Sequence, residues 1–290
     1  MTGIHIGIDG GAGAGRWRRR FRPARLFGLA ASACLMPALT AAGGEASQRV
    51  VVTTSMLGSA VKELDADHGI QVVELIPPGS CPGHFDLTPA LLRQAREAEL
   101  FIYHDFQDGL AKKLGVDGDD PRVLRVGAAG GLTLPANYRR LVEAVAARLR
   151  KQAAPAAQSR LDESLAAANR RIEALGREMD AAARTWKDRP VAVSAMQREF
   201  VERLGMRVVG ELRRPGQLSP RDWQRLLAAG PEIIVGNLQS DAPAAAALGR
   251  RGGRPVAVLS NFPGAEGFGE DYASLLRANL ARLEEAWNKR

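Results

Sequence analysis

Short apolar runs alternate with segments of helical spacing along most of the chain. The runs are four to seven residues long, which is typical of buried strands. The segments between them repeat apolar positions every three or four residues, which is typical of helices packed on a sheet. The runs predict strands at residues 49–54, 70–76, 100–103, 122–126, 190–193, 207–210, 232–235 and 255–259. Strands that alternate with helices in this way predict a parallel α/β sheet.

One long helical segment separates the first four predicted strands from the last four. Its apolar residues are spaced by three and four positions, at Leu161, Leu165, Ala168, Ile172, Leu175 and Met179. No proline interrupts residues 156–186, so the segment is predicted to be one helix of about 45 Å. A coiled coil is the weaker interpretation, because the heptad pattern is short and its seam is rich in alanine. We therefore predict two parallel-sheet α/β lobes joined by one long helix, with lobes at residues 47–155 and 188–290 and the helix at 156–187.

Residues 1–46 have the composition of an export signal rather than of a folded domain. Six arginines precede an apolar, uncharged run at residues 26–39, and small residues follow at 40–44. A basic start, a short apolar centre and a small-residue exit are the three regions of a secretory signal peptide. The apolar run is too short to span a bilayer comfortably. We therefore predict export of the mature chain, with lipidation of Cys34 as the alternative in which the chain is a lipoprotein.

The charge and the motifs of the chain point away from nucleic acids and from the common enzyme classes. The formal net charge is +8, but six arginines against Asp9 and Glu45 put about half of it in the predicted signal peptide. No basic cluster is interleaved with aromatic residues, as it would be on a nucleic-acid surface. The glycine-rich run at residues 10–15 lacks the Lys-Ser/Thr of a phosphate loop. Neither a Gly-x-Ser-x-Gly nor a His-Glu-x-x-His motif occurs.

The loop at residues 77–89 combines a thiol and an imidazole on a stiff backbone. Cys81 and His84 lie three positions apart among proline and glycine, and such a backbone can direct side chains that a regular element would hold apart. A Cys–His pair favours zinc, copper and similar metals over magnesium or calcium. The structural alternative is a buried thiol and a histidine that stabilises the loop. Another alternative is an enzyme in which Cys81 is the nucleophile and His104 its base.

His104 ends the third predicted strand and is the next candidate metal ligand. Asp105 and Asp108 follow closely, and a carboxylate often orients a ligating imidazole through its second nitrogen. The alternative is a strand-end histidine that hydrogen-bonds its own loop.

Gln197, Asn237 and Asn261 follow predicted strands of the second lobe. In open parallel sheets, ligands bind beyond the carboxyl ends of the strands. We therefore predict one site in the cleft between the lobes, with His84, Cys81 and His104 as metal ligands and these three amides closing it from the second lobe. The alternative is that the amides only cap or turn the chain. Met196 is predicted to be a core residue, with soft ligation of a metal as its alternative.

Several segments along the chain carry a family resemblance. They are residues 50–55, 75–79, 84–89, 98–103, the long helix and 271–280. Over about residues 49–288 the chain resembles the ZnuA/TroA-like zinc/manganese family, the periplasmic metal-binding solute-binding proteins of ABC transporters. That family has a histidine followed by an aromatic residue and Ser/Thr-Pro, which places His84 at or beside its first ligand position. The resemblance implies two lobes joined by a rigid helix, with a metal held between them.

The other ligand positions implied by the resemblance differ in this chain. The second histidine of the family would fall near residues 130–135, its third near Ser194 and its late acidic ligand near Ser260, and none of these positions holds a histidine or an acid. We expect a periplasmic, monomeric binding protein, not an enzyme, that captures a transition metal and delivers it to an ABC permease at the inner membrane. Zinc is the first expectation, with manganese or another transition metal as the alternative. A second alternative keeps the fold but binds a metal chelate or an organic ligand such as a tetrapyrrole, with His84 as axial ligand.

Overall fold

The computed structural model describes residues 48–65, 69–83, 85–86, 88–212 and 219–290. The predicted signal peptide and His84 therefore lie outside the described residues. Within these ranges, no helix is both long enough and apolar enough to cross a membrane.

The first lobe is built on a four-stranded parallel sheet. Its strands are β1 Gln48–Val52, β2 Ile70–Glu74, β3 Leu100–His104 and β4 Val123–Val126, in the order β2-β1-β3-β4. Its helices are α1 Ser55–Lys62, α2 Pro89–Arg96, α3 Asp108–Leu114 and α4 Pro135–Arg150. A one-turn 3-10 helix, Asp105–Gln107, links β3 to α3.

The second lobe repeats this strand order. The long helix α5 Pro155–Trp186 leads into β5 Pro190–Ser194, β6 Arg207–Leu212, β7 Ile233–Asn237 and β8 Val256–Leu259. These strands are all parallel and follow the order β6-β5-β7-β8. The helices are α6 Arg198–Arg203, α7 Pro220–Ala228, α8 Ala242–Gly252 and α9 Tyr272–Asn288, with a 3-10 turn at Ala195–Gln197 before α6.

The predicted fold class is confirmed, with small corrections to the elements. Each predicted strand is present, and its ends differ from the prediction by no more than two residues. The linking helix has 32 residues, which corresponds to about 48 Å. The pattern did not predict α3, because only Ala111 and Leu114 of its seven residues are buried and one such pair is too short to show a helical period.

Local signals fix the helix starts that the sequence predicted. The Thr88 side chain accepts a hydrogen bond from the Leu91 amide at 3.3 Å, and Pro89 occupies the first turn of α2. At α7, Ser219 and Asp222 form a reciprocal capping box. Such side chains satisfy amide groups that have no partner inside the helix.

One buried apolar cluster is shared by both sheets. It contains side chains from β1, β3, β5 and β7, and the buried stripe of α5 runs through it at Leu161, Ala168, Ile172, Leu175 and Met179. Smaller clusters cover the outer face of each sheet, under α2 and α3 in the first lobe and under α7 and α8 in the second. The lobes are therefore joined by packing as well as by the chain.

The strand order creates one switch point in each sheet. The chain leaves β1 toward one edge to form β2 and then crosses to the other side to form β3, and β5 and β7 repeat this arrangement. Loops diverge at such a point and leave a crevice beyond the carboxyl ends of the two central strands. Residues at the ends of β1, β3, β5 and β7 are therefore the ones that the fold presents to a ligand.

Candidate functional site

A cavity of about 440 Å³ lies at the carboxyl ends of the strands and is lined by both lobes. Of the predicted site residues, Cys81 and His104 line it from the first lobe, and Asn237 and Asn261 line it from the second. These four side chains, from different loops and strand ends of the two lobes, therefore line one cavity.

His104 occupies the switch point of the first sheet. It ends β3, its side chain is fully buried, and its Nε2 lies 2.9 Å from the hydroxyl of Thr54, which follows β1. Its Nδ1 has no hydrogen-bond partner in the described structure. The expectation that Asp105 or Asp108 orients the ring is wrong. Asp108 instead pairs with Arg125 through two hydrogen bonds of 2.8 and 2.9 Å.

Burial keeps the His104 ring neutral. Desolvation lowers the pKa of His104 from 6.5 to about 4, and the nearby carboxylate of Asp105 opposes this shift only in part. A charged imidazole loses its hydration when it is buried, so the neutral form is favoured. The neutral imidazole is also the form that can bind a metal ion.

Gln107 fixes the backbone around His104. Its Oε1 accepts hydrogen bonds from the Thr53 hydroxyl at 2.6 Å and from the His104 amide at 3.2 Å. The ring of Phe106 stacks on the imidazole, with 5.1 Å between the ring centroids and 12° between the planes. The end of β3 is therefore held by the end of β1 and by the 3-10 turn that follows it.

Cys81 lies in the loop after β2, is half-buried and contributes to the cavity wall with Gly83. This loop contacts the second lobe, because Gln239 Nε2 donates a hydrogen bond to the Pro78 carbonyl at 2.8 Å.

Gln197 lies behind the cavity wall in the second lobe. It is fully buried, and its Nε2 donates a 2.8 Å hydrogen bond to Oδ1 of Asn261. Oε1 of Gln197 and Nδ2 of Asn237 are buried without a partner in the described structure. The core assignment of Met196 is wrong, since 54% of this residue is exposed and it lines the cavity.

The two serines at expected family ligand positions hydrogen-bond inside the protein. Ser194 donates to the Asp241 carboxylate at 2.5 Å, and Asp241 also accepts the Asn237 amide at 2.7 Å. The Ser260 hydroxyl accepts from Gln239 at 2.8 Å and donates to the Phe262 carbonyl at 2.9 Å. Asp241 was not predicted as a site residue from the sequence, because an aspartate before Ala-Pro indicates only a helix start.

Glu199 is a second acidic residue that the sequence analysis missed. It lies on α6, is exposed and lines the cavity from the second lobe. A Cβ atom at Gly131 would lie 3.0 Å from its Oε2, so this carboxylate faces the β4 loop of the first lobe. Its position soon after β5 could have indicated a site residue. A glutamate at the start of a helix, however, usually serves only to stabilise that helix.

The lobes touch directly beside the cavity. Ser55 Oγ donates to the Pro263 carbonyl at 2.7 Å, which joins the end of β1 to the loop after β8. Gly264 has a φ of +84°, and a Cβ atom there would lie 3.0 Å from Pro78 Cγ. A side chain would be strained at that φ and crowded against the proline, so glycine permits this approach of the two lobes.

The described side chains place metal donors around the cavity without assembling a complete set. Among residues that the structure describes, no three His, Cys, Asp or Glu side chains are grouped closely enough to hold a metal ion. Cys81, His104 and Glu199 contribute one thiol, one imidazole and one carboxylate to the cavity lining.

Comparisons with known proteins agree on one family. The family model described as "Zinc-uptake complex component A periplasmic" (ZnuA) matches residues 50–286. The periplasmic zinc-binding protein TroA from Treponema pallidum has a similar structure, with a TM-score of 0.70 and 16% identity over 83% of this chain and 99% of that one. The structure of a zinc-bound ZnuA deletion mutant is also similar, with a TM-score of 0.69 and 17% identity over 83% of this chain and 98% of that one. The structure of a Mn-bound periplasmic metal-binding protein from Candidatus Liberibacter asiaticus has a TM-score of 0.68 and 12% identity over 83% of this chain and 99% of that one. Curated protein sequences give no significant match.

Proposed function

The chain belongs to the family of periplasmic component A of zinc-uptake complexes, and on that premise we propose that it captures a transition-metal cargo between its lobes and delivers it to an ABC permease. The observation that carries the proposal is that Cys81 and His104 line one cavity to which both lobes contribute. Thiolate and neutral imidazole are preferred ligands of zinc, whereas manganese prefers oxygen ligands. Zinc is therefore the expected cargo, and manganese the alternative.

His84 is the third proposed ligand. The residue before it in the chain, Gly83, is part of the cavity lining, and the family resemblance supports His84 at or beside the first ligand position. In this proposal the loop after β2 supplies Cys81 and His84, and β3 supplies His104. Gln197, Asn237 and Asn261 close the site with neutral amides, and Glu199 adds a carboxylate from the second lobe.

The electrostatics of the first lobe favour capture at neutral pH. The buried His104 imidazole has a pKa near 4, so it does not need to release a proton before it binds a metal. Metal sites built from histidine and cysteine bind more strongly as pH rises, because the ligating forms are deprotonated.

The family supports a periplasmic location and a permease partner. The predicted signal peptide would carry the chain to the periplasm, where the cargo passes to a permease at the inner membrane, and the protein acts as a monomer. The family is one of solute-binding proteins rather than of enzymes. The imidazole of His104 also bonds Thr54 through Nε2, which gives no support to its role as a base for Cys81.

The test is metal content and affinity of the chain from residue 47 onward, purified without chelating tags or added metal. We expect near-stoichiometric metal by plasma mass spectrometry, and an affinity for zinc that falls at least tenfold in His84→Ala and in His104→Ala. The matched control is His68→Ala, because the sequence places this histidine in a polar turn. If the protein neither contains nor takes up zinc, manganese, copper, nickel or cobalt, the capture of free metal ions is refuted.

A further inference from the structure

We infer that the metal enters the cleft as a complex with an organic chelator rather than as a bare ion, an inference that rests on the proposed function. The chelator would be largely apolar, such as an aromatic or macrocyclic ligand, and would leave at least one coordination position of the metal open. That position would be filled by a donor of the first lobe, His104 or Cys81.

The size of the cavity is the first observation. Its volume of about 440 Å³ lies in the range of small-molecule sites, about 300–1,000 Å³. A bare metal ion is no larger than a water molecule, which takes about 30 Å³ of liquid. Most of the cavity would therefore remain empty of ligand atoms around a bare ion.

The apolar wall is the second observation. Within the part of the chain that the structure describes, the large hydrophobic side chains that are exposed are Phe106, at 57%, and Met196, at 54%. Both line this cavity, Phe106 from the turn after β3 and Met196 from the turn after β5. Exposed apolar side chains that meet in one concave site indicate a ligand with apolar surface. A bare ion offers no such surface.

The aromatic wall continues into the candidate metal donor. The ring of Phe106 stacks on His104 with 12° between the planes, so an apolar ligand on Phe106 lies beside an imidazole. Met196, on the opposite lobe, supplies a flexible thioether chain that adapts to an irregular ligand surface.

Unpaired buried polar atoms are the third observation. Among the described residues, such atoms occur at His104 Nδ1, Gln107 Nε2, Gln197 Oε1 and Asn237 Nδ2, all at or just past strand ends, and at two other positions. His104 and Asn237 line the cavity itself. Buried polar groups without partners are costly and uncommon in folded proteins. Three of these four groups are amides, which recognise polar atoms of an organic molecule through hydrogen bonds and carry no charge for a cation.

The donor count agrees with a pre-complexed metal. Among the described residues, no three His, Cys, Asp or Glu side chains are grouped closely enough to hold a metal ion. A chelated metal already has most of its ligands, so it needs fewer of the proposed protein ligands than a bare ion does. At least one of them completes the coordination, and the apolar walls hold the chelator.

The inference is tested by comparing four probes on the metal-free protein by calorimetry and absorption titration. They are zinc ion alone, the one-to-one complex of zinc with phenanthroline, zinc protoporphyrin IX, and the two chelators without metal. At least one zinc complex is expected to bind tenfold or more tightly than both zinc ion and the metal-free chelator. Phe106→Ala and Met196→Ala should each weaken the complex at least tenfold, and by more than they weaken zinc ion.

Leu110→Ala is the matched control, because this apolar side chain packs under the first sheet outside the cavity, and it should change affinity less than twofold. If zinc ion binds as tightly as both complexes, the inference is overturned and the proposed function stands. If a metal-free chelator binds as tightly as its complex, the metal is not recognised and the inference fails. If no probe binds, the inference and the capture of zinc fail together.

Discussion

Ser59 joins three helices through one hydroxyl, and its removal tests how these helices are held. The Oγ atom, on α1, accepts the Tyr138 hydroxyl of α4 at 3.0 Å and the Tyr272 amide at the start of α9 at 3.1 Å. The two tyrosine rings stack with 3.7 Å between their centroids. All three residues are no more than 3% exposed, so water cannot easily replace the lost acceptor.

The geometry predicts that the double variant Ser59→Ala/Tyr138→Phe loses less stability than Ser59→Ala alone. Tyr138→Phe loses one neutral hydrogen bond but leaves Ser59 bonded to Tyr272, at a cost of about 1 kcal/mol. Ser59→Ala leaves two buried donors without an acceptor, at about 1–3 kcal/mol each. Adding Tyr138→Phe to Ser59→Ala removes one of these unsatisfied groups. The double variant should therefore be more stable than Ser59→Ala, by about 1–2 kcal/mol.

Urea unfolding of the wild type, both single variants and the double variant measures this directly, since the midpoint and slope of each curve together give a free energy of unfolding. Ser159→Ala is the matched control, because that serine is exposed on α5 and should change stability by less than about 0.5 kcal/mol. Strict additivity of the two single costs would refute the reasoning, because it would mean that the Tyr138 hydroxyl does not depend on Ser59.

Two further predictions concern His104 and Asp241, which lie near the carboxyl ends of β3 and β7. Burial lowers the pKa of His104 from 6.5 to about 4. Between these pH values the imidazole is protonated in the unfolded chain and neutral in the folded chain. The free energy of unfolding of the metal-free protein should therefore fall by up to about 3 kcal/mol as pH falls through this window. Urea unfolding at several pH values should show a shallower loss in His104→Gln, and parallel curves would contradict the lowered pKa. Asp241→Ala leaves the Ser194 hydroxyl and the Asn237 amide without their acceptor, so unfolding measurements should show a cost of about 2–5 kcal/mol; a cost below about 1 kcal/mol would contradict this role for the carboxylate.

The sequence predicted the fold because parallel sheets leave a strong pattern. Strands buried on both faces appear as continuous apolar runs, as in Val50–Val52, Leu100–Ile102 and Ile233–Val235, all fully or almost fully buried. The strand-end positions of His104 and Asn237 were also readable, because the carboxyl ends of parallel strands meet at one edge of the sheet.

The side-chain contacts at the site could not be predicted from the sequence in the same way. Asp108 stands near His104 in the sequence but pairs with Arg125, 17 positions further on, and Ser194 finds Asp241 at a separation of 47. Such pairings depend on strand order and loop path rather than on spacing. Met196 has the chemistry of a core residue, and only the position of its turn at the mouth of the cleft explains its exposure.

The shared core beneath the two sheets has a consequence for the kinetics of the proposed metal capture. Because α5 and the packed side chains around it tie the lobes together, the cleft is preorganised, and a cargo that arrives loses little affinity to ordering of the chain. Association then needs no closing step, so differences between competing cargoes appear in residence time, as they do for most related complexes.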